Sequence, residues 1–66
     1  MFNTKYVTFE IKITNAKNGQ TEYRDYAITV KDNEDGDKVA WDAVNEYANK
    51  CISRLREGST YTVTKL

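Results

Sequence analysis

A chain of 66 residues has room for one small domain, 1–66, and ten basic against ten acidic side chains leave it without net charge. It therefore lacks the broad positive field that drives nonspecific binding to phosphate backbones, which disfavours nucleic acid as a partner. A single cysteine excludes an internal disulfide, and with no histidine the lone thiol and scattered carboxylates do not assemble a zinc site.

A domain of this size buries only about 60% of its extended surface, so tight packing or a second copy is the expected source of stability. The start, MFNTKYVTFEIK, shows no basic-then-apolar signal pattern, and no apolar run approaches the ~20 residues needed to span a bilayer. The expectation is a cytoplasmic protein with no membrane partner. Abundant Asn, Lys, Thr and Tyr with no proline suit an AT-rich genome, such as that of a phage or other mobile element, and then the compartment is the host cytoplasm.

The first element is a strand, Lys5 to Thr14. Val7, Phe9, Ile11 and Ile13 fall on one face, and Tyr6, Thr8, Glu10, Lys12 and Thr14 on the other. Strict alternation of this kind is the signature of a half-buried strand. A second alternating run ends at Val30, and Asn18-Gly19 lies between the two. Asn-Gly favours a two-residue type I′ turn, because both central residues need positive φ. Such a turn places Val7 opposite Val30, Phe9 opposite Ile28 and Ile11 opposite Tyr26. On the other face it places Lys12 opposite Asp25, Thr8 opposite Thr29 and Tyr6 opposite Lys31. The tip, residues 14–23, is expected to project beyond the core, since Ile13 then meets Arg24.

The run KDNEDGD (Lys31 to Asp37) breaks the strand. An EF-hand reading fails there: with Gly36 as the sixth loop position, the first is Lys31 and the twelfth is Asp42, where an acidic ligand and a Glu are required. A solvated turn with a helix cap is the expected reading, and an acidic patch with Asp42 and Glu46 that mimics nucleic-acid phosphates or meets a basic partner is the sharper one. A helix follows from Asp37 to Arg56, capped by Asp35 or Asp37 and ended by Gly58. Ala40, Val44, Tyr47, Ala48, Cys51 and Leu55 form its apolar stripe, flanked by Trp41 and Ile52, while Asp42, Asn45, Glu46, Asn49, Lys50 and Ser53 lie on the solvent side. The last strand, TYTVTKL, turns Tyr61 and Val63 inward and Thr60, Thr62 and Thr64 outward. The helical segment NEYANK with this strand resembles the immunoglobulin-binding domains of streptococcal protein G, which have a hairpin, a helix and a second hairpin. Here one strand follows the helix, and no function is carried over.

These elements give an α+β fold of two layers, β-β-α-β, with a three-stranded, mainly antiparallel sheet and one helix on one face. A crossover that places the third strand beside the first gives spatial order 2-1-3, with the most apolar strand at the centre. Order 1-2-3 is the alternative.

One helix leaves the second sheet face uncovered. Tyr6, Thr8, Lys12, Tyr23, Thr29, Lys31 and Thr62 on that face form the candidate interaction surface. No catalytic, metal or cofactor residue is nominated: nothing supplies a base for Cys51, whose place in the apolar stripe predicts burial. Trp41 either closes the edge of the core or anchors a partner. The expected function is a noncatalytic protein-binding or self-associating module, a homodimer in the second case, of the kind phages and mobile elements use as accessory proteins. The alternative is a single-stranded nucleic-acid binder that stacks bases on Tyr6 and Tyr23, with Lys12 and Lys31 on the phosphates.

Overall fold

The computed structural model describes residues 3–55 and 57–66. The alternating runs form two strands of eleven residues, β1 (Thr4–Thr14) and β2 (Thr21–Lys31). The helix α1 (Glu34–Ser53) carries the chain back along the sheet, and a short strand β3 (Thr60–Lys65) closes the order β2-β1-β3. Both neighbours of β1 run antiparallel to it. The central place falls to the strand with the most apolar inner face, and Val7, Phe9, Ile11 and Ile13 are all buried.

Packing explains why the helix sits on that face. Ala40, Val44 and Ala48 recur at helical spacing and are fully buried against the four β1 residues and Val30. Two alanines at the contact let the helix axis approach the sheet, and larger side chains close the margins. The Trp41 ring meets Phe9 edge-on at 4.9 Å, and Tyr47 stacks on Tyr26 at 5.0 Å. Trp41 thus closes the core edge while remaining 37% exposed. Cys51, expected to be buried, is only half-buried, because it borders the core over the less apolar end of β2.

The hairpin register differs from the expected one by two residues. Val7 stands opposite Ile28, Phe9 opposite Tyr26, Ile11 opposite Arg24, and Lys12 opposite Tyr23. The reason lies in the turn. Among the described residues no non-glycine has positive φ, so Asn18 does not take the conformation a type I′ turn requires, and only Gly19 (φ 70°) does. The chain instead makes a wider loop over residues 16–19. The Asn15 N–H donates to the Gln20 carbonyl at 2.9 Å, and the Gly19 N–H to the Asn15 carbonyl at 2.8 Å. Two asparagine side chains hold it: Asn15 Oδ1 accepts from the Lys17 N–H and Asn18 Oδ1 from the Gln20 N–H, both at 2.9 Å. A shift by an even number moves no side chain to the other face, so the apolar sets stay together while their partners change.

The tip is also less isolated than expected. The Ala16 N–H donates to Ser59 Oγ at 3.0 Å, and Ile13 is buried with Tyr61 as its neighbour on β3. Residues 16–23 remain exposed.

The helix begins three residues before the expected start. Asn33, not Asp35 or Asp37, is its N-cap, with Oδ1 accepting from the Gly36 N–H at 2.8 Å. Asp37 is occupied elsewhere: its carboxylate lies 2.8 Å from Lys5 Nζ and 4.0 Å from Lys65 Nζ. The Lys5 ammonium holds the Asp37 carboxyl below its ordinary pKa, against the opposing effect of desolvation. The acidic segment is therefore partly neutralised by strand lysines and is not wholly a solvated turn. At the other end, the helix stops at Ser53 with Arg54 as C-cap. Arg56, the expected last residue, lies outside the described residues. Gly58 (φ 95°) makes the turn into β3 and does not end the helix. Asn45 and Asn49, assigned to the solvent side, reach the Tyr61 hydroxyl: it donates to Asn45 Oδ1 at 3.2 Å and accepts from Asn49 Nδ2 at 3.4 Å.

Candidate functional site

The uncovered sheet face is built in rows, because residues paired across strands point the same way. The observed register determines each row. At the hairpin end Tyr23, Lys12 and Thr62 lie side by side across β2, β1 and β3. The next row is Asp25, Glu10 and Thr64, followed by Ala27 beside Thr8 and then Thr29 beside Tyr6. Lys31 stands opposite Thr4 at the far end.

All seven candidate residues are exposed, and the structure divides them into two groups. Lys12, Tyr23 and Thr62 form one; Tyr6, Thr8, Thr29 and Lys31 form the other. Six positions separate Tyr6 from Lys12, which at ~3.3 Å per strand residue puts the two tyrosines roughly 20 Å apart. They do not make a single aromatic platform. Each is prominent, with Tyr6 78% and Tyr23 61% exposed.

Between the groups sit Glu10 and Asp25, directly opposite one another. Facing carboxylates repel, so this pair costs stability in an isolated sheet and leaves a negative centre on the surface. The expected register had set Lys12 against Asp25 and hidden this feature. Arg24 is not available to offset it, because it points to the helix side, where its guanidinium lies 3.3 Å from Glu22. There the Tyr47 hydroxyl first, and Glu22 second, raise the Arg24 pKa above its ordinary value.

The concave features lie elsewhere. A groove of about 480 Å³ is lined by Thr4, Thr29, Val30, Lys31, Asn33, Asp35, Gly36 and Val39, along β2 beneath the first turns of the helix. A smaller one of about 250 Å³ lies between Tyr26 and the helix residues Ala43, Glu46, Tyr47 and Lys50. Sequence reasoning missed the larger groove; its one signal was Val39, an apolar residue outside the helix stripe. Among the described residues, no group of three or more His, Cys, Asp or Glu side chains is placed to hold a metal ion. No helix among them is long and apolar enough to cross a membrane.

Compared with family models, with curated proteins and with solved structures, the chain matches none.

Proposed function

We propose that this chain is a noncatalytic protein-binding module that docks a partner protein on its outward sheet face. The observation that carries this reading is the pair of prominent tyrosines, one at each end of a face of threonine-rich rows with no layer over it among the described residues. Tyrosine anchors interfaces well because a large ring is buried at little conformational cost while its hydroxyl keeps a polar contact. A span of roughly 20 Å between anchors suits the ~800 Å² per partner of a stable interface. The Glu10–Asp25 pair between them favours a partner that brings a lysine or arginine to the centre, flanked by two apolar pockets. An accessory role in a phage or other mobile element, exerted by occupying a host or viral protein surface, agrees with the composition.

The nucleic-acid reading is weaker on this geometry. The two stacking residues are far apart, and a strand laid between them passes over two carboxylates that repel its phosphates. The test is affinity capture from a native host lysate with the wild-type chain and a Tyr6→Ala/Tyr23→Ala variant in parallel, with mass spectrometry of what is retained. A protein held by the first and lost with the second supports the proposal. Retention of the same proteins by both, or salt-sensitive binding of a single-stranded oligonucleotide that the variant loses, refutes it.

A further inference from the structure

The outer edge of β2 carries an inference that does not depend on what binds the sheet face. Its backbone polarity follows from two bonds. Asn15 bonds to Gln20 at one end of the hairpin, and the Asp32 N–H donates to the Asn3 carbonyl at 3.0 Å at the other. In an antiparallel ladder bonded and non-bonded pairs alternate, so even-numbered β2 residues turn their backbone groups toward β1. Tyr23, Asp25, Ala27 and Thr29 therefore turn theirs outward. Among the described residues no strand lies on that side. The edge is eleven residues long, its pairing with β1 is continuous, and it contains no proline. It thus lacks the bulge, the proline and the short length that commonly blunt a sheet edge.

We infer that β2 pairs edge to edge, antiparallel, with β2 of a second copy of this chain, about a two-fold axis at Ile28. Charge order selects that register. An axis at Arg24 or Asp25 sets that charge against itself. At Tyr26 the axis puts Arg24 opposite Ile28 and Glu22 opposite Val30 of the second copy, and at Ala27 it puts Arg24 opposite Val30. With the axis at Ile28, the uncharged stretch Tyr26–Val30 pairs with itself: Ile28 meets Ile28, Tyr26 meets Val30, and Ala27 meets Thr29. The same register brings Asp25 toward Lys31 and Arg24 toward Asp32, so opposite charges face each other at both ends.

The side chains on the helix side fit as well. Tyr26 of the second copy arrives beside Val30, at the groove of about 480 Å³ that Val30, Gly36 and Val39 line. Val39, 54% exposed in the single chain, gains cover there. Ala27 and Thr29 then exchange about four backbone hydrogen bonds across the axis, and the two sheets become one continuous sheet. The other edge is a poorer candidate, since β3 has only six residues.

Disulfide trapping tests the register in the full chain. Ala27→Cys and Thr29→Cys are made separately in a Cys51→Ala background, both at exposed positions on the outward face. A bonded antiparallel pair has its Cα atoms about 5.5 Å apart, within disulfide reach, whereas diagonal neighbours stand about 7–8 Å apart. The mixture of the two variants should oxidise to covalent dimer at least tenfold more than either variant alone. In the wild-type chain, light scattering over a concentration series should show the mass rising from 7.6 kDa toward twice that value. A mass constant at the monomer value, equal trapping in mixed and single samples, or trapping through a Thr62→Cys variant on β3 instead would overturn the inference.

Discussion

Gly36→Ala sets two physical effects against each other, and the structure decides the sign. Gly36 is in the first turn of α1, where replacing glycine by alanine ordinarily stabilises by about 0.8–1.0 kcal/mol through helix propensity. Its conformation is not the obstacle, since Gly19 and Gly58 are the positive-φ glycines among the described residues. The obstacle is space: a Cβ at this position would run into the backbone carbonyl of Lys31, with the Val30 side chain 3.2 Å away. A backbone neighbour cannot swing aside as a side-chain tip can. The β2–α1 junction must shift, at a cost of about 1–3 kcal/mol for overpacking, and about 1 kcal/mol more if the Asn33 cap is lost. Because the shift of the junction also breaks the Asn33 cap on the Gly36 N–H, the net expectation is destabilisation by about 1–3 kcal/mol, or roughly 4–8 °C in Tm per kcal/mol for a domain of this size. Thermal and urea melts followed by circular dichroism read it directly. A Tm equal to or above that of the wild type would show that propensity wins and that the close approach of helix and strand is misplaced.

Gly19→Val tests the turn: nothing lies within 4 Å of a Cβ there, so the effect comes from φ alone. Left-handed backbone costs a β-branched residue about 1–2 kcal/mol, Gly19→Asn should cost less, and equal melting midpoints for the two would refute the turn geometry. Asp37 should shape the acid limb of stability. Its folded pKa is lowered, so the unfolded chain binds the proton more readily, and the contribution present above the ordinary carboxylate value of about 3.9 is lost as pH falls through the folded pKa. Asp37→Asn should flatten urea-derived stability against pH in that acid range, and an unchanged slope would remove the Lys5–Asp37 pair from the account. Cys51→Ser places a hydroxyl at a half-buried site and should destabilise by about 1 kcal/mol while partner capture persists. Full stability with capture abolished would instead make the thiol part of the binding site.

Local stereochemistry, written in the order of residues, determined which side chains share a face. Alternation from Val7 to Ile13 and the helical spacing of Ala40, Val44 and Ala48 leave one way to bury both apolar sets, and the most apolar strand takes the centre. Membership of the outward face was legible for the same reason. Pairing across strands was not, because register depends on contacts between distant residues. The Asn-Gly preference for a narrow turn gave way to a wider loop held by Asn15 and Asn18 and tied to Ser59, which is 43 positions beyond Ala16. The helix cap moved to Asn33, with Asp37 engaged by Lys5 of β1, and the Tyr61 hydroxyl took Asn45 and Asn49 as hydrogen-bond partners, Asn49 remaining exposed. The two-residue shift kept every side chain on its face, yet it set Glu10 against Asp25 and moved Tyr23 from opposite Thr14 to opposite Lys12, two positions nearer Tyr6. Which residues can meet a partner is thus a property of the chain's period, and how they are spaced is a property of tertiary contacts, since a two-residue slip leaves the first intact and changes the second.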